Sequence, residues 1–399
     1  MRAEVFRQIR RNVAEREGEM LALLERIVRM NSHSANHDGI NAVAGVFATQ
    51  LEALGFAVEV RTRHHSGNMV LGRSPARMAA GSRTPQVLLV GHMDTVFPVD
   101  AGFDCFRREG RNIIGPGIID MKGGLVTALF ALMALDDAGE LGDMPVTFVL
   151  NPDEEIGSPW SRECIEEEAR RSGCAFVFEC SGLLGETVTG RKGRMPFTFS
   201  VSGPGGHSGA TGMHKPSAIV ELARRIVTVE GLNEPYRGLS VNVGVIEGGT
   251  GPNVVPEQAT AYAEARYMEE ADGDTLRAAL ENAMLRPGIP GTVCRVEFGS
   301  GRPAMEPTRE NRALFGVAGV MAARLGIPIG EDFRGGVSDA NFIARAGCPV
   351  LDGMGPSGAR DHSHDEYMVA DSLVPRTQLA AMTMTECWRL LARGRLFDD

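Results

Sequence analysis

Five short segments carry imidazole and carboxylate side chains of the kind that hold metal ions. In Gly91-His92-Met93-Asp94 the two polar residues are two apart, so on an extended chain they project to the same side. GPGIIDMKGG at 115–124 places Asp120 in a glycine-rich turn at the entrance of a predicted helix, where a carboxylate by itself acts as a cap. Asn151-Pro152-Asp153-Glu154-Glu155 sets three acids in a row behind an apolar run, and like charges so close repel unless a cation or hydrogen bonds intervene. A solvated acidic loop and a metal site account for that segment equally well. Glu179 ends another apolar run, AFVF, and His362-Ser363-His364-Asp365-Glu366 adds further imidazoles and carboxylates; spacing does not separate His362 from His364. An isolated H-x-D is more often a buried histidine steadied by a carboxylate. Five such elements, four of them directly after predicted strands, point to one rim, and oxygen and nitrogen donors without thiolate suit a hydrolytic zinc, cobalt or manganese site.

The elements that must position these residues follow from periodicity. Residues 4–30 and 39–54 carry apolar positions at helical spacing and predict two surface helices. QVLLVG at 86–91 is apolar nearly throughout and reads as a strand buried on both faces. Strands at 57–60, 68–72, 145–150 and 175–178, with helices at 122–138 and 161–171, give the alternation of a mostly parallel sheet. Ligands of such sheets bind beyond the carboxyl ends of the strands. From about residue 191 the order becomes strand 195–202, helix 216–229, strand 239–247, strand 258–268, helix 273–285, strand 292–300, which is ferredoxin-like. Helices at 309–325 and 338–346 and a strand at 349–352 then resume the first pattern.

The expected fold class is therefore α/β: a mixed, mostly parallel sheet flanked by helices, with an inserted ferredoxin-like α+β domain. Residues 1–190 and 302–399 form the two parts of the main domain, and 191–301 the insertion. RSPARMAAGSRTP at 73–85 reads as a loop, and Glu166-Glu167-Glu168 as a solvated helix face. The histidines His33, His37, His64 and His65 lie in loops without matching acids and are left out of the candidate site.

Composition narrows the function classes. With 41 basic against 51 acidic residues in 399, the net charge of −10 argues against nucleic acid or another polyanion as partner. Seven cysteines spread singly, without a C-x-x-C pair, indicate neither a disulfide framework nor a thiolate zinc site, and a reducing cytoplasm fits. The first twenty residues lack the apolar core of a signal peptide, and no uninterrupted apolar stretch of about 18 residues is present to span a bilayer. The expected setting is cytoplasmic, with no membrane partner.

Together GHMDTVFP, GPGIIDMKGG, NPDEEIGS, FEC and HSHDE, in this order and spacing, resemble the two-zinc metallopeptidase and amidohydrolase family of glutamate carboxypeptidase, acetylornithine deacetylase and succinyl-diaminopimelate desuccinylase. The likeness covers nearly the whole chain; GPGGHSG, NVGVIEGGTGPNVVP and Glu264-Ala265-Arg266 extend it into the insertion, although the family often has Asp where Glu264 stands. It implies a sheet of the zinc-exopeptidase type and two divalent ions, zinc first, with cobalt or manganese as alternatives. His92 and Glu179 would bind one ion, Glu155 and His362 the other, and Asp120 would bridge them. His362 is chosen over His364 because the family spacing is H-S-x-x-E. Asp94 would hydrogen-bond His92 and fix its tautomer, and Glu154 would be the general base. Such a pair of cations lowers the pKa of a water between them from 15.7 toward about 7.

The resemblance also implies that His207 reaches across a homodimer interface, formed by the insertion, to the oxyanion of the partner's substrate. Arg266 and Asn253 are candidates for gripping a substrate carboxylate, the guanidinium because its planar fork matches two oxygens. The expected enzyme is a dizinc metallohydrolase cleaving a peptide or amide bond next to a free carboxylate in a small-molecule or dipeptide-like substrate. An N-acyl amino acid deacylase or other amidohydrolase is the alternative, and a non-catalytic binding protein on the same fold a remote one.

Overall fold

All seven residues of the strand Gln86–His92 are buried, which is the environment a run of Val and Leu demands when both faces of a sheet are covered. In a computed structural model, which describes residues 1–63, 65–81, 84–210 and 215–398, this strand lies inside a six-stranded sheet. The strand order is Ala57–Arg63, Ser66–Arg73, Val146–Asn151, Gln86–His92, Ser172–Val177, Val350–Leu351. Leu89 stands opposite Phe148 on one side and Phe176 on the other, both in parallel register. The last strand joins in parallel, and the first two pair antiparallel, so the sheet is mixed and mostly parallel. The same register sets His92 opposite Asn151, which brings the ends of two strands, and the loops beyond them, level with each other.

The chain divides into two units. The larger holds Met1–Gly190, Pro307–Arg334 and Ser338–Asp399, and the smaller Arg191–Glu306 with Gly335–Val337. In the larger unit the helix Gly123–Asp137 is buried on nearly every side. Its second residue explains the doubled glycine of the motif, because a Cβ on Gly124 would lie 1.8 Å from the carbonyl oxygen of Phe178. Only a residue without a side chain lets the helix approach the strand end that carries Glu179. Among the described residues, Ile118–Asp137 is the one helical stretch long and apolar enough to cross a membrane, and 89% of its apolar window is buried inside the protein.

Three details differ from the sequence reading. The segment 4–30 is two helices, Ala3–Glu15 and Glu17–Val28, broken at Arg16, whose ψ of 10° leaves the helix while its guanidinium donates to Asp137. Each lies at the surface and buries one apolar stripe, in which Ile9, Val13, Met20, Leu24 and Ile27 are fully buried. Within 73–85 the five residues Pro75–Ala79 form a helix, started by Pro75 and capped by Ser74 Oγ, which accepts the amide of Arg77. Glu168 is not on a solvated face: it is buried, paired with Arg73 at 2.9 Å and hydrogen-bonded by Gln86.

A small four-stranded sheet matters for the site. Its order is Gly358–Ala359, Tyr367–Val369, Asn112–Ile114, Arg107–Glu109, and Tyr367 pairs with Ile114. The loop 360–366 thus leaves and re-enters a sheet that also holds the segment leading into the Asp120 turn.

In the smaller unit four antiparallel strands are ordered Ser240–Gly248, Gln258–Tyr267, Gly193–Ser202, Val293–Phe298, with helices Ala218–Glu230 and Glu270–Met284 between them in sequence. Ala259, Ala261 and Ala265 of the alternating strand are buried with Phe199, Leu222, Leu276 and Leu280 in this unit's own core, as a period of two requires.

Candidate metal centre

His92 ends the central strand and is buried to 1% exposure. Its Nε2 lies 3.0 Å from Asp120 Oδ1 and 3.6 Å from Glu179 Oε1. The other carboxylate oxygen of Asp120 lies 3.2 Å from His362 Nε2, which is itself 3.2 Å from Glu155 Oε2. Each imidazole therefore has a carboxylate of its own, and Asp120 stands between the two. The donor atoms of His92, Asp120 and Glu155 lie within 4.8 Å of one another, and those of Asp120, Asp361 and His362 do the same. His364 turns away and stacks on Phe103, ring centroids 5.2 Å apart.

The supporting contacts are not those expected for Asp94. The nearest acceptor to His92 Nδ1 is the backbone carbonyl of Asp94 at 2.9 Å, and the carboxylate stands farther off at 3.4 Å. With a proton on Nδ1, Nε2 is left as a lone pair facing Asp120 and Glu179. The Asp94 carboxylate does different work: it accepts the amides of Glu154 and Glu155 at 3.1 and 3.2 Å and the hydroxyl of Ser34 at 2.8 Å. It fixes the backbone of the two acids that follow Asp153. Asp153 itself points inward, fully buried, and accepts from Ser161 Oγ and the amide of Trp160. Of three consecutive acids, one is thus withdrawn into a hydrogen-bonded pocket; burial pushes its pKa up to about 6.

Glu366 was visible in the sequence only as spacing. Fully buried, it accepts the amides of Gly117, Ile119 and Asp120, so it grips the turn that presents Asp120. Arg360 and His362, on the same loop, adopt left-handed φ of 65° and 60°, a conformation that costs a non-glycine residue of order 1–3 kcal/mol and clusters at functional sites. Ser363 steadies the loop by donating to the Arg360 carbonyl at 2.7 Å. Lys122 is buried beside this turn and donates to the Met30 carbonyl at 2.9 Å; burial pushes its pKa down to about 7.

The electrostatics call for cations. Burial, followed by repulsion from Asp120, pushes the Glu155 carboxyl up to about 8 and the Glu179 carboxyl well above its ordinary range. Among the described residues no lysine or arginine pairs with Asp120, Glu155 or Glu179; only the two imidazoles face them. Burial alone would lower the pKa of His92, but the Asp120 carboxylate that accepts from its ring and the nearby Asp94 carboxylate hold it well above normal, and Asp120 and Glu155 push His362 up to about 11. Carboxylates and imidazoles gathered this closely, with no lysine or arginine among the described residues to pair them, are a donor set suited to hard or borderline divalent ions.

In the smaller unit His207 is exposed and sits in a two-residue strand opposite Val254. The next amide, Ser208, donates to the carbonyl of Asn253 at 3.0 Å, so two candidates far apart in sequence are neighbours. Arg266 is engaged by Glu264 at 2.9 Å and donates to the carbonyl of Gly335 at 3.2 Å; Glu264 also pairs with Arg194 at 2.8 Å. Of the histidines set aside, His64 lies outside the described residues.

Residues 88–386 match the profile of Peptidase family M20/M25/M40. The chain is 29% identical over 360 residues to carboxypeptidase G2 of Pseudomonas sp. strain RS-16, covering 90% of this chain and 86% of that enzyme. It is 28% identical over 373 residues to succinyl-diaminopimelate desuccinylase of Acidiphilium cryptum, covering 90% and 95%. Its fold resembles that of aminopeptidase PepT from Bacillus cereus, with a TM-score of 0.75 at 21% identity over 93% of this chain and 98% of the other. The M20 family metallo-carboxypeptidase Sso-CP2 from Sulfolobus solfataricus gives a TM-score of 0.68 at 19% identity over 92% and 98%. An array of carboxylates and imidazoles at the strand ends, buried at His92 and Glu179 and open at His362, and a family match running through every segment that supplies it, lead to one conclusion: the chain belongs to Peptidase family M20/M25/M40 and is a metal-dependent hydrolase.

Proposed function

We propose that this enzyme hydrolyses a peptide or amide bond next to a free carboxylate in a small, dipeptide-like substrate, in the manner of glutamate carboxypeptidase. The observation that carries the reading is Asp120, one oxygen 3.0 Å from His92 and the other 3.2 Å from His362. A carboxylate shared between two imidazoles, each with its own acid, is suited to two ions. His92 and Glu179 would hold one, His362 and Glu155 the other, with Asp120 between them. Zinc suits these ligands best, and cobalt or manganese are accepted by the same donors. Bound there, divalent ions supply Lewis acidity, acidifying water and polarising a carbonyl.

The remaining work falls to the protein. Glu154, its backbone held by Asp94, takes the proton of the attacking water and returns it to the leaving amine. Arg266 and Asn253 are proposed to take the substrate carboxylate, Arg266 by exchanging its present partner Glu264 for the substrate. His207 is proposed to donate to the oxyanion of the partner's substrate in a homodimer built on the smaller unit. Singly spread cysteines support a reducing, cytoplasmic setting.

An N-acyl amino acid deacylase is the second reading, favoured by the similarity to succinyl-diaminopimelate desuccinylase over 95% of that enzyme. Metal analysis of the purified protein, combined with assays on N-acylated glutamates, simple dipeptides and acetylornithine, separates the two. Turnover of acetylornithine or N-succinyl amines alone would overturn the peptidase reading, and hydrolysis unaffected by exhaustive chelation would overturn both.

A further inference from the structure

The loop that carries Glu154 and Glu155 is held from a distant part of the chain. Asp339 is buried to 2% exposure, and both of its carboxylate oxygens are engaged by residues at the two ends of that loop. Oδ1 accepts the hydroxyl of Ser158 at 2.5 Å, and Oδ2 accepts the side-chain amide of Asn151 at 2.7 Å. Asn151 and Ser158 flank Glu154 and Glu155, and both are fully buried.

The inner face of the loop continues the network. The Asn151 amide also reaches Ser161 Oγ at 3.2 Å, which donates to Asp153 at 2.5 Å, and the backbone amide of Ser158 returns to the carbonyl of Asp153 at 2.7 Å. Ser158 sits at a φ of 54°, which a serine adopts only when its surroundings impose it. The turn is closed from Gly157 to the Glu154 carbonyl at 2.8 Å. Asp94 fixes the amides at the top of this loop, and Asp339 ties its two ends together. Charge-assisted hydrogen bonds of this kind are short and roughly twice as strong as neutral ones, and the low dielectric of a buried setting strengthens them further.

Resting on the reading of Glu154 as the base, we propose that Asp339 is a positioning residue for it: the bonds to Ser158 and Asn151 hold the 151–161 loop in the one conformation from which Glu154 can exchange a proton with the attacking water. Asp339 touches no reacting atom. A base displaced by an ångström loses most of its effect while substrate binding is unchanged, so the deficit falls on kcat rather than KM.

The test uses Asp339→Asn, which preserves volume but cannot present two acceptors, and Ser158→Ala, which deletes one hydroxyl. Amide hydrogen exchange of the peptide spanning 151–161, metal content, and kcat and KM on whichever N-acylated glutamate or dipeptide the wild type cleaves are compared. The expected result for Asp339→Asn is faster exchange confined to this peptide, by about tenfold or more, with kcat reduced about 10- to 100-fold and KM within about threefold. Metal content stays at the wild-type level. Unchanged exchange overturns the proposal. So does faster exchange with an unaltered kcat, or a kcat loss that only follows lost metal. Should Asp339→Asn fail to fold, the same readings on Ser158→Ala decide the matter. If the wild type cleaves no member of the panel, the proposed function fails, while the exchange comparison still decides whether Asp339 holds the loop.

Discussion

Glu366 accepts the backbone amide of Asp120 at 3.1 Å, and the same carboxylate holds the amides of Ile119 and Gly117 at 2.8 and 2.9 Å. Because Glu366 stands four residues after His362, the turn that presents Asp120 and the loop that presents His362 are joined through one buried side chain. Burial, helped by repulsion from the Asp120 carboxylate, pushes this carboxyl up to about 8, against the pull of the three amides. Glu366→Gln sets a side-chain NH2 against backbone N–H groups and leaves at least one buried donor without an acceptor, at a cost of about 1–3 kcal/mol. Since the displaced group is the shared carboxylate, metal affinity should fall about 10- to 100-fold. Competition titrations against a chromophoric chelator measure it, and wild-type affinity in a folded Glu366→Gln protein would show that the clamp is dispensable.

Glu154 is the acid of the loop that the proposed ligand set leaves for proton transfer. Exchanging it for Gln keeps shape and most contacts and removes only the basic oxygen. The expected outcome is undiminished metal content with turnover lowered about 10²- to 10⁴-fold. Residual activity near the wild-type level would move the base elsewhere. Exhaustive dialysis against a chelator should abolish turnover in the wild type and be reversed by added zinc, cobalt or manganese.

Strand ends and helix periods were legible because burial on two faces leaves a signature in composition, as in QVLLVG and VTFVL. Helix 309–325 and the strand beginning at Gln258 fall where the pattern sets them. The break at Arg16 was not legible, since apolar spacing continues through a one-residue interruption and the partner of its guanidinium, Asp137, lies 121 positions away. The same reason hides most of the supporting residues. Asp153 and Glu154 are equally acidic on paper, yet one is buried against Ser161 and the other is only half-buried, and Asp339 lies 181 positions from the serine it holds. His362 and His364 differ by what surrounds them: Phe103 draws one ring into a stack, and Asp120 and Glu155 face the other. Asp94 was found by its spacing to His92, but its main partners, two backbone amides, leave no mark in sequence.

Glu168 gives a stability prediction away from the metal centre. Burial alone would raise its pKa, but hydrogen bonds from Gln86 at 3.0 Å and Arg73 at 2.9 Å bring it below the usual range. A depressed carboxylate stabilises the fold in full above the unfolded-state value of about 4.3, and the contribution is lost as pH falls through the folded-state value. Glu168→Gln should therefore destabilise by about 1.5–3 kcal/mol at neutral pH. The gap in Tm between variant and wild type should narrow as pH drops below about 4. A gap that is constant with pH would mean that packing, not charge, is what the substitution removes.

Whether His207 acts within its own subunit or on its partner's substrate can be settled by mixing two inactive proteins. In a hybrid of His207→Ala with Glu154→Gln subunits, a trans-acting histidine leaves one complete site: the subunit with native Glu154 receives His207 from the other. Its counterpart lacks both groups. Random exchange of subunits between isologous dimers makes half of them hybrids, so a trans arrangement restores about a quarter of wild-type activity. A cis arrangement restores none, because every site then lacks one of the two residues. The exposed position of His207, in a short strand facing Val254 and adjoining Asn253, suits a group offered to another molecule. Activity of the mixture no higher than the sum of its parts, in hybrids verified by mass, would remove His207 from the partner's chemistry and leave it a loop residue of the smaller unit.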